Sequence, residues 1–158
     1  MSRRWRTFVF LAALLGTTLS FASFASAHTD DVKVLHLTGV PVETREVDTD
    51  PENEAPALGD GFVLSENLFR NGKKVGISGV VCTFVRLENP PSAFQCVISA
   101  RIGGSQLTVQ GLAFDQARNV FAITGGTGRW RNAGGQVVVV DAPDGSSSDI
   151  TLFISDLG

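Results

Sequence analysis

Few side chains in this sequence can do chemistry. It has two cysteines, Cys82 and Cys96, two histidines, His28 and His36, and no tyrosine. No phenol is therefore available as an acid or a hydrogen-bond donor. Structural zinc sites use about four Cys or His ligands at short spacings, and these residues do not supply that pattern. A Gly-x-Ser-x-Gly nucleophile elbow and a phosphate-binding P-loop are both missing. No metal and no cofactor are expected. His36 is the one histidine within the folded region that can exchange protons near neutral pH. A lone histidine on a strand more often serves structure than chemistry.

Two further patterns look chemical and are better read as structure. Residues 120–124 run into Gly125-Gly126-Thr127-Gly128, like the strand and loop that open a dinucleotide-binding fold. That motif needs a third glycine and then a helix to hold the pyrophosphate. Arg131 stands at the third-glycine position, Asn132-Ala133-Gly134-Gly135 break helices, and the valines at 137–140 favour strand. The glycines mark a sharp strand connection and serve the fold. Asp48, Asp50 and Glu52 are spaced like calcium ligands. However, Asn53 and Gly59 stand where a hand-type loop needs glycine and glutamate, so residues 48–60 read as a solvated acidic loop.

These candidates depend on the elements that carry them. Arg3, Arg4 and Arg6 precede an apolar run at 8–15 and a small-residue site, Ala25-Ser26-Ala27. That order reads as a cleaved export signal over residues 1–27, leaving residues 28–158 as one domain. The apolar run is shorter than the roughly 20 residues needed to span a bilayer, so no membrane association is expected after cleavage. The arginine-rich start points to bacterial export and a secreted protein. Removal of the segment takes away three of 13 basic residues and none of 16 acidic ones, so the net charge moves from −3 to −6. Nucleic acid is not an expected partner, because phosphate binding needs clustered Lys and Arg.

The remaining chain reads as strands and tight turns, with no helical period. The expected strands cover residues 30–37, 62–70, 75–87, 94–102, 107–114, 120–124, 136–141 and 150–154. Asn71-Gly72 is a strong hairpin signal. Short, evenly spaced strands of this kind imply an all-β antiparallel barrel or sandwich. Phe94, Cys96, Ile98, Ala100 and Ile102 share one face, which reads as inward, because side chains alternate with period two. Cys82 shares a face with Val80 and Phe84. Cys82 and Cys96 are equidistant from Asn89, the centre of their hairpin, so they can lie opposite each other. An exported protein normally pairs such cysteines. The alternative is a free Cys82 lining a pocket.

The ordered set Leu58-Gly59-Asp60, Asn67-Leu68-Phe69, Val75-Gly76-Ile77 and Cys82 resembles the plant allene oxide cyclases. So do Leu107-Thr108-Val109-Gln110-Gly111, Ala122-Ile123-Thr124-Gly125-Gly126 and Gly135-Gln136-Val137. The related dirigent proteins share the Gly-Gly-Thr-Gly, Gly-Asp and Val-Gly elements. The resemblance implies an eight-stranded antiparallel β-barrel that forms homotrimers and binds a hydrophobic small molecule inside. It places either Glu66 or, with a one-residue slip, Asn67 at the cyclase asparagine that binds the epoxide oxygen through water. Cys82 matches a pocket cysteine. The first-strand glutamate of the cyclases is missing, because Val34-Leu35-His36-Leu37 stands there. The cyclase Ser-Pro pair and the first-strand aspartate of the dirigents are missing as well. The pocket candidates are thus Glu66, Asn67, Cys82 and His36, with Phe84, Phe94, Cys96 and Ile98 as its walls.

Two functions follow from different classes. An apolar barrel can fold an unsaturated substrate into one reactive conformation and direct its cyclisation or isomerisation, which is catalysis by orientation. The same barrel can instead carry a lipid or aromatic metabolite without turnover. A third, plainer reading is a barrel whose interior is only core.

Overall fold

The structure, a computed structural model, describes residues 32–53, 55–87 and 92–156. The export signal expected over residues 1–27 lies outside the described residues. The described residues form eight strands: β1 (Lys33–Val47), β2 (Gly61–Arg70), β3 (Lys73–Arg86), β4 (Ala93–Ile102), β5 (Ser105–Phe114), β6 (Arg118–Gly126), β7 (Ala133–Asp141) and β8 (Ser148–Asp156). Each pairs antiparallel with its sequence neighbours, and β1 pairs with β8, which closes an all-β barrel. Closure leaves no sheet edge to be covered.

The alternation in the sequence sets the faces. On β4, Cys96 and Ile102 are buried while Val97, Ser99 and Arg101 are exposed. Asn71 and Gly72 both have positive φ, 51° and 74°, which is the backbone a two-residue hairpin requires. Cys82 stands opposite Cys96 in the β3–β4 ladder. The two form a disulfide across Cα atoms 4.1 Å apart.

The first strand is longer than the sequence implies. It does not end at Leu37 but continues to Val47, which pairs with Gly61. Residues 42–47 are all exposed, so this half shows no inward and outward alternation to read. Backbone pairing to β2 holds it, through a register shift between Pro41 and Glu43.

The antiparallel order sends alternate turns to opposite ends. One end carries the Asn71-Gly72 and Gly103-Gly104 turns and the connection from Gly126 to Ala133. It is solidly packed by Leu35, Leu68, Ile102, Leu107, Ile123 and Trp130, all buried. Trp130 sits on a short 3-10 turn, Gly128–Trp130, held by Trp130 N–H donating to Thr127 O at 3.0 Å and Arg131 N–H donating to Gly128 O at 3.2 Å. The Arg129 guanidinium lies 4.5 Å from the Trp130 ring centroid and donates to Ile102 O at 3.3 Å. Gly126 makes this fold-back possible. A Cβ there would lie 2.7 Å from Trp130 Cβ and 2.8 Å from Trp130 O. The need at Gly126 is close approach and not a positive φ, which belongs instead to Gly125 and Gly128.

The other end carries the acidic 48–60 loop and the turns at 115–117 and 142–147. Asp60 organises the acidic loop. Its carboxylate accepts from Thr49 N–H at 2.8 Å, Thr49 Oγ1 at 2.6 Å and Ala57 N–H at 2.7 Å. Those bonds, the Thr49 hydroxyl foremost, hold its carboxyl below the ordinary carboxylate range.

Candidate functional site

Above the packed base the barrel is hollow. The cavity has a volume of about 490 Å3 and reaches the turns at 115–117 and at Ala142-Pro143. That lies within the range of about 300–1,000 Å3 for small-molecule pockets. Its walls are apolar, with Phe62, Leu64, Phe94, Val109, Phe121 and Ile150 among them. The space exists because inward positions that could have filled it are small. Ala100 on β4 and Ala113 on β5 line the cavity, while Gly111 makes room for the Phe121 ring, which a Cβ there would meet at 3.2 Å.

One ionisable group stands deep inside. Glu66 on β2 is only 6% exposed. Its neighbours along the strand set the direction, since Leu64 and Leu68 face the same interior. Ser78 stands opposite it on β3, and the Ser78 hydroxyl donates to Glu66 Oε2 at 2.7 Å. No hydrogen bond from a described residue reaches Oε1. That oxygen lies over Gly39 of β1, where a Cβ would come within 2.8 Å of it. Glycine at 39 therefore makes room for the Glu66 carboxyl itself.

Burial pushes the Glu66 carboxyl above the ordinary carboxylate range. The Ser78 hydrogen bond opposes that shift, and the nearby negative charge of Asp141 adds to it. Loss of hydration disfavours the charged form, and no described Lys, Arg or His lines the cavity to offset it. Such a carboxyl can donate a hydrogen bond when protonated and take a proton when ionised, which is the equipment for acid–base work on a bound molecule.

The sequence-derived candidates divide by the phase of their strands. Glu66, Phe94 and Ile98 line the cavity. Cys82 and Cys96 also line it, as a disulfide, so Cys82 offers no thiol there. Asn67 is not on the cavity wall. It adjoins Glu66 in sequence, so it must point to the other face of β2, where it is half-buried. His36 is likewise outside. It lies between Leu35 and Leu37, both buried inward, and its exposed Nδ1 is 3.1 Å from Thr151 Oγ1. The expectation that Asn67 and His36 face the pocket is thus corrected. Phe84 does not reach the main cavity either. Its ring packs 4.0 Å from that of Phe94 and borders a second hollow under the acidic loop.

Three residues of the site carried no recognisable motif: Gly39, Ser78 and Asp141. Asp141 stands at the mouth and accepts from Ser148 Oγ at 2.7 Å. Asn119 also lines the cavity, but its amide is used by the fold. It accepts from Phe114 N–H at 2.9 Å and donates to Gln116 O at 3.1 Å, which pins the β5–β6 turn. Among the described residues no group of three His, Cys, Asp or Glu side chains is placed to hold a metal ion.

Comparison with known proteins gives the fold a setting. No protein-family profile matches the chain, and no curated protein matches it. Solved structures do. A structure described as pyocyanin demethylase superposes with a TM-score of 0.70 at 22% identity, covering 77% of this chain and 99% of that one. The Diels Alderase AbmU from Streptomyces koyangensis gives 0.66 at 16% identity, over 84% of this chain and 72% of that one. The pterocarpan synthase dirigent protein PsPTS1 gives 0.62 at 17% identity, over 82% and 98%. The barrel has the fold of the dirigent and cyclase-type proteins.

Proposed function

We propose that the barrel binds one hydrophobic, unsaturated small molecule and directs its cyclisation or isomerisation, with Glu66 as the proton-handling group. The observation that carries this reading is Glu66 itself: a buried carboxyl with one free oxygen, facing an apolar cavity of about 490 Å3. A cavity whose only task was core would be filled, and a buried acid without a counter-ion is retained at a cost. The carboxylate that the cyclases carry on their first strand has here a counterpart on the second, over a glycine on the first. Shape supplies orientation, the dry wall excludes water, and Glu66 supplies or accepts a proton. The neighbours of this fold are described as a pyocyanin demethylase, a Diels Alderase and a pterocarpan synthase dirigent protein, and a cyclisation-directing role is in keeping with the last two.

Export and trimer formation are part of the same proposal. The disulfide supports an oxidising compartment. The outer face supports assembly: Val63, Val81 and Val97 stand side by side across β2, β3 and β4, each at least 41% exposed. Val138 and Val140 of β7 point outward too, while Val137 and Val139 face the cavity. Contiguous apolar surface of this kind calls for a cover, and a homotrimer provides one.

The test begins with native mass spectrometry of protein isolated from its source, which identifies any co-purifying compound. That compound and its unsaturated precursors are then offered to wild type and Glu66→Gln. Turnover by wild type and a loss of about 10²–10⁴-fold in the variant is the expected result. A compound returned unchanged by wild type would make the protein a carrier, the second reading. That reading is favoured by Glu66 standing alone at depth, since the other carboxyls among the described lining residues, Asp115 and Asp141, stand at the mouth.

A further inference from the structure

We propose that the cavity selects aromatic ligands bearing a positive charge and rejects those bearing a carboxylate. The inference rests on the reading of the barrel as a ligand site and names the class of ligand.

The charge lining the cavity has one sign. Glu66 lies deep, and Asp115 and Asp141 stand at the mouth. No Lys, Arg or His among the described residues lines the wall at any depth. A carboxylate entering this space would meet like charges at the mouth and find no cationic partner inside. In a low-dielectric cavity such a mismatch is poorly screened. A cation meets the opposite situation. The two mouth carboxylates attract it, and Oε1 of Glu66, which accepts no hydrogen bond from a described residue, offers a direct contact. The bound cation then supplies the counter-ion that the buried carboxyl lacks, and the two groups neutralise each other out of water.

The aromatic wall supports the same class. Phe62, Phe94, Phe114 and Phe121 line the cavity. The first two meet edge to face, with centroids 5.7 Å apart. Ring faces attract a nearby cation, more so where water is excluded. They also stack on a flat ligand. An apolar site that took neutral or acidic lipids would need neither the buried acid nor the acidic mouth.

Three 2-substituted naphthalenes of different charge test this: 2-naphthyl-trimethylammonium, 2-methoxynaphthalene and 2-naphthoate. Binding to the full folded chain is followed by the naphthalene fluorescence. The expected order is cation, then neutral, then anion, with the cation at least about tenfold tighter than the anion. Glu66→Gln should remove most of the preference for the cation and leave the neutral compound within about twofold. An Asp115→Asn, Asp141→Asn double variant should weaken the cation and strengthen the anion, with Glu66 untouched. Equal binding of the three, or tighter binding of 2-naphthoate, overturns the proposal while leaving the ligand site in place. Failure of all three to bind wild type would instead overturn the ligand-site reading on which it rests. Binding of the neutral compound to each variant shows that the variant is folded.

Discussion

The two halves of this barrel are built from the same eight strands and differ in what fills them. At the base, Leu35, Leu68, Ile102, Leu107 and Ile123 meet over Trp130, and the interior is closed. Towards the other end, inward positions are held by Ser78, Ala100 and Ala113, and the interior stays open. Strand geometry does not decide between these outcomes, because a barrel of eight strands is just wide enough either to be filled by side chains or to hold one small ligand. Side-chain size decides, layer by layer. The base supplies the stability that lets the upper half carry a void and a buried acid.

That division predicts opposite responses to substitution. The largest effect should come from the base. Trp130→Ala removes a buried indole, and loss of about 3–5 kcal/mol is expected in chemical denaturation. A smaller loss would mean that the closed end is less tightly packed than described. Breaking the Cys82–Cys96 bond should come next. It closes a loop of 14 residues in sequence separation, and reduction or a double Ala substitution should lower stability by about 3 kcal/mol. Intact mass after alkylation without reductant should show no modified thiol in the wild type. Two modified thiols would remove the bond from the account.

In the hollow half the same kind of change should act on binding instead of stability. Gly39→Ala puts a methyl beside Glu66 Oε1, where the ideal Cβ comes within 2.8 Å. Unfolding should shift by about 1 kcal/mol or less, since the carboxyl end can move into open space. Ligand affinity should fall by about tenfold, read by titration. Equal loss of stability and of binding would blur the division between the halves.

The smallest effect is a pH dependence. Burial holds the folded-state pKa of Glu66 above its ordinary value of 4.5. Between those two values the folded state binds more protons than the unfolded one. Its contribution to stability is therefore fully present below 4.5 and is lost as pH rises through the raised value. Glu66→Gln should abolish this decline. The difference between the two proteins in melting temperature should grow from pH 4 upward, with the variant the more stable at neutral pH. A constant difference across that range would place Glu66 in an environment no drier than the surface.

The fold was largely legible in the sequence, and the site only in part. The turn at Asn71-Gly72 and the symmetry of Cys82 and Cys96 about Asn89 gave the registers of two hairpins, because turn chemistry and period-two alternation are local. The lower part of the site depends on strand phase, which is a weaker signal where both faces carry apolar residues. On β2, Phe62, Leu64 and Leu68 could have assigned Glu66 inward, but Val63 and Phe69 on the opposite face obscured it. On β1, Leu35 and Leu37 already implied that His36 points away. Gly39 and Ser78 had no signal of their own, since their role arises only from what stands across the ladder. Trp130 was equally silent, because a three-residue turn has no period to read.

The central claim, that the upper half is a ligand cavity and not core, is tested most directly by filling it. N-phenyl-1-naphthylamine, a neutral apolar dye that brightens when shielded from water, is titrated into wild type and Ala113→Trp. The account predicts one dye per barrel in the wild type. It predicts binding weakened by at least about tenfold in the variant, because the indole occupies the space the dye needs, with the melting temperature nearly unchanged. A wild type that does not bind the dye, or an Ala113→Trp protein that melts normally and binds it as tightly, would contradict the claim.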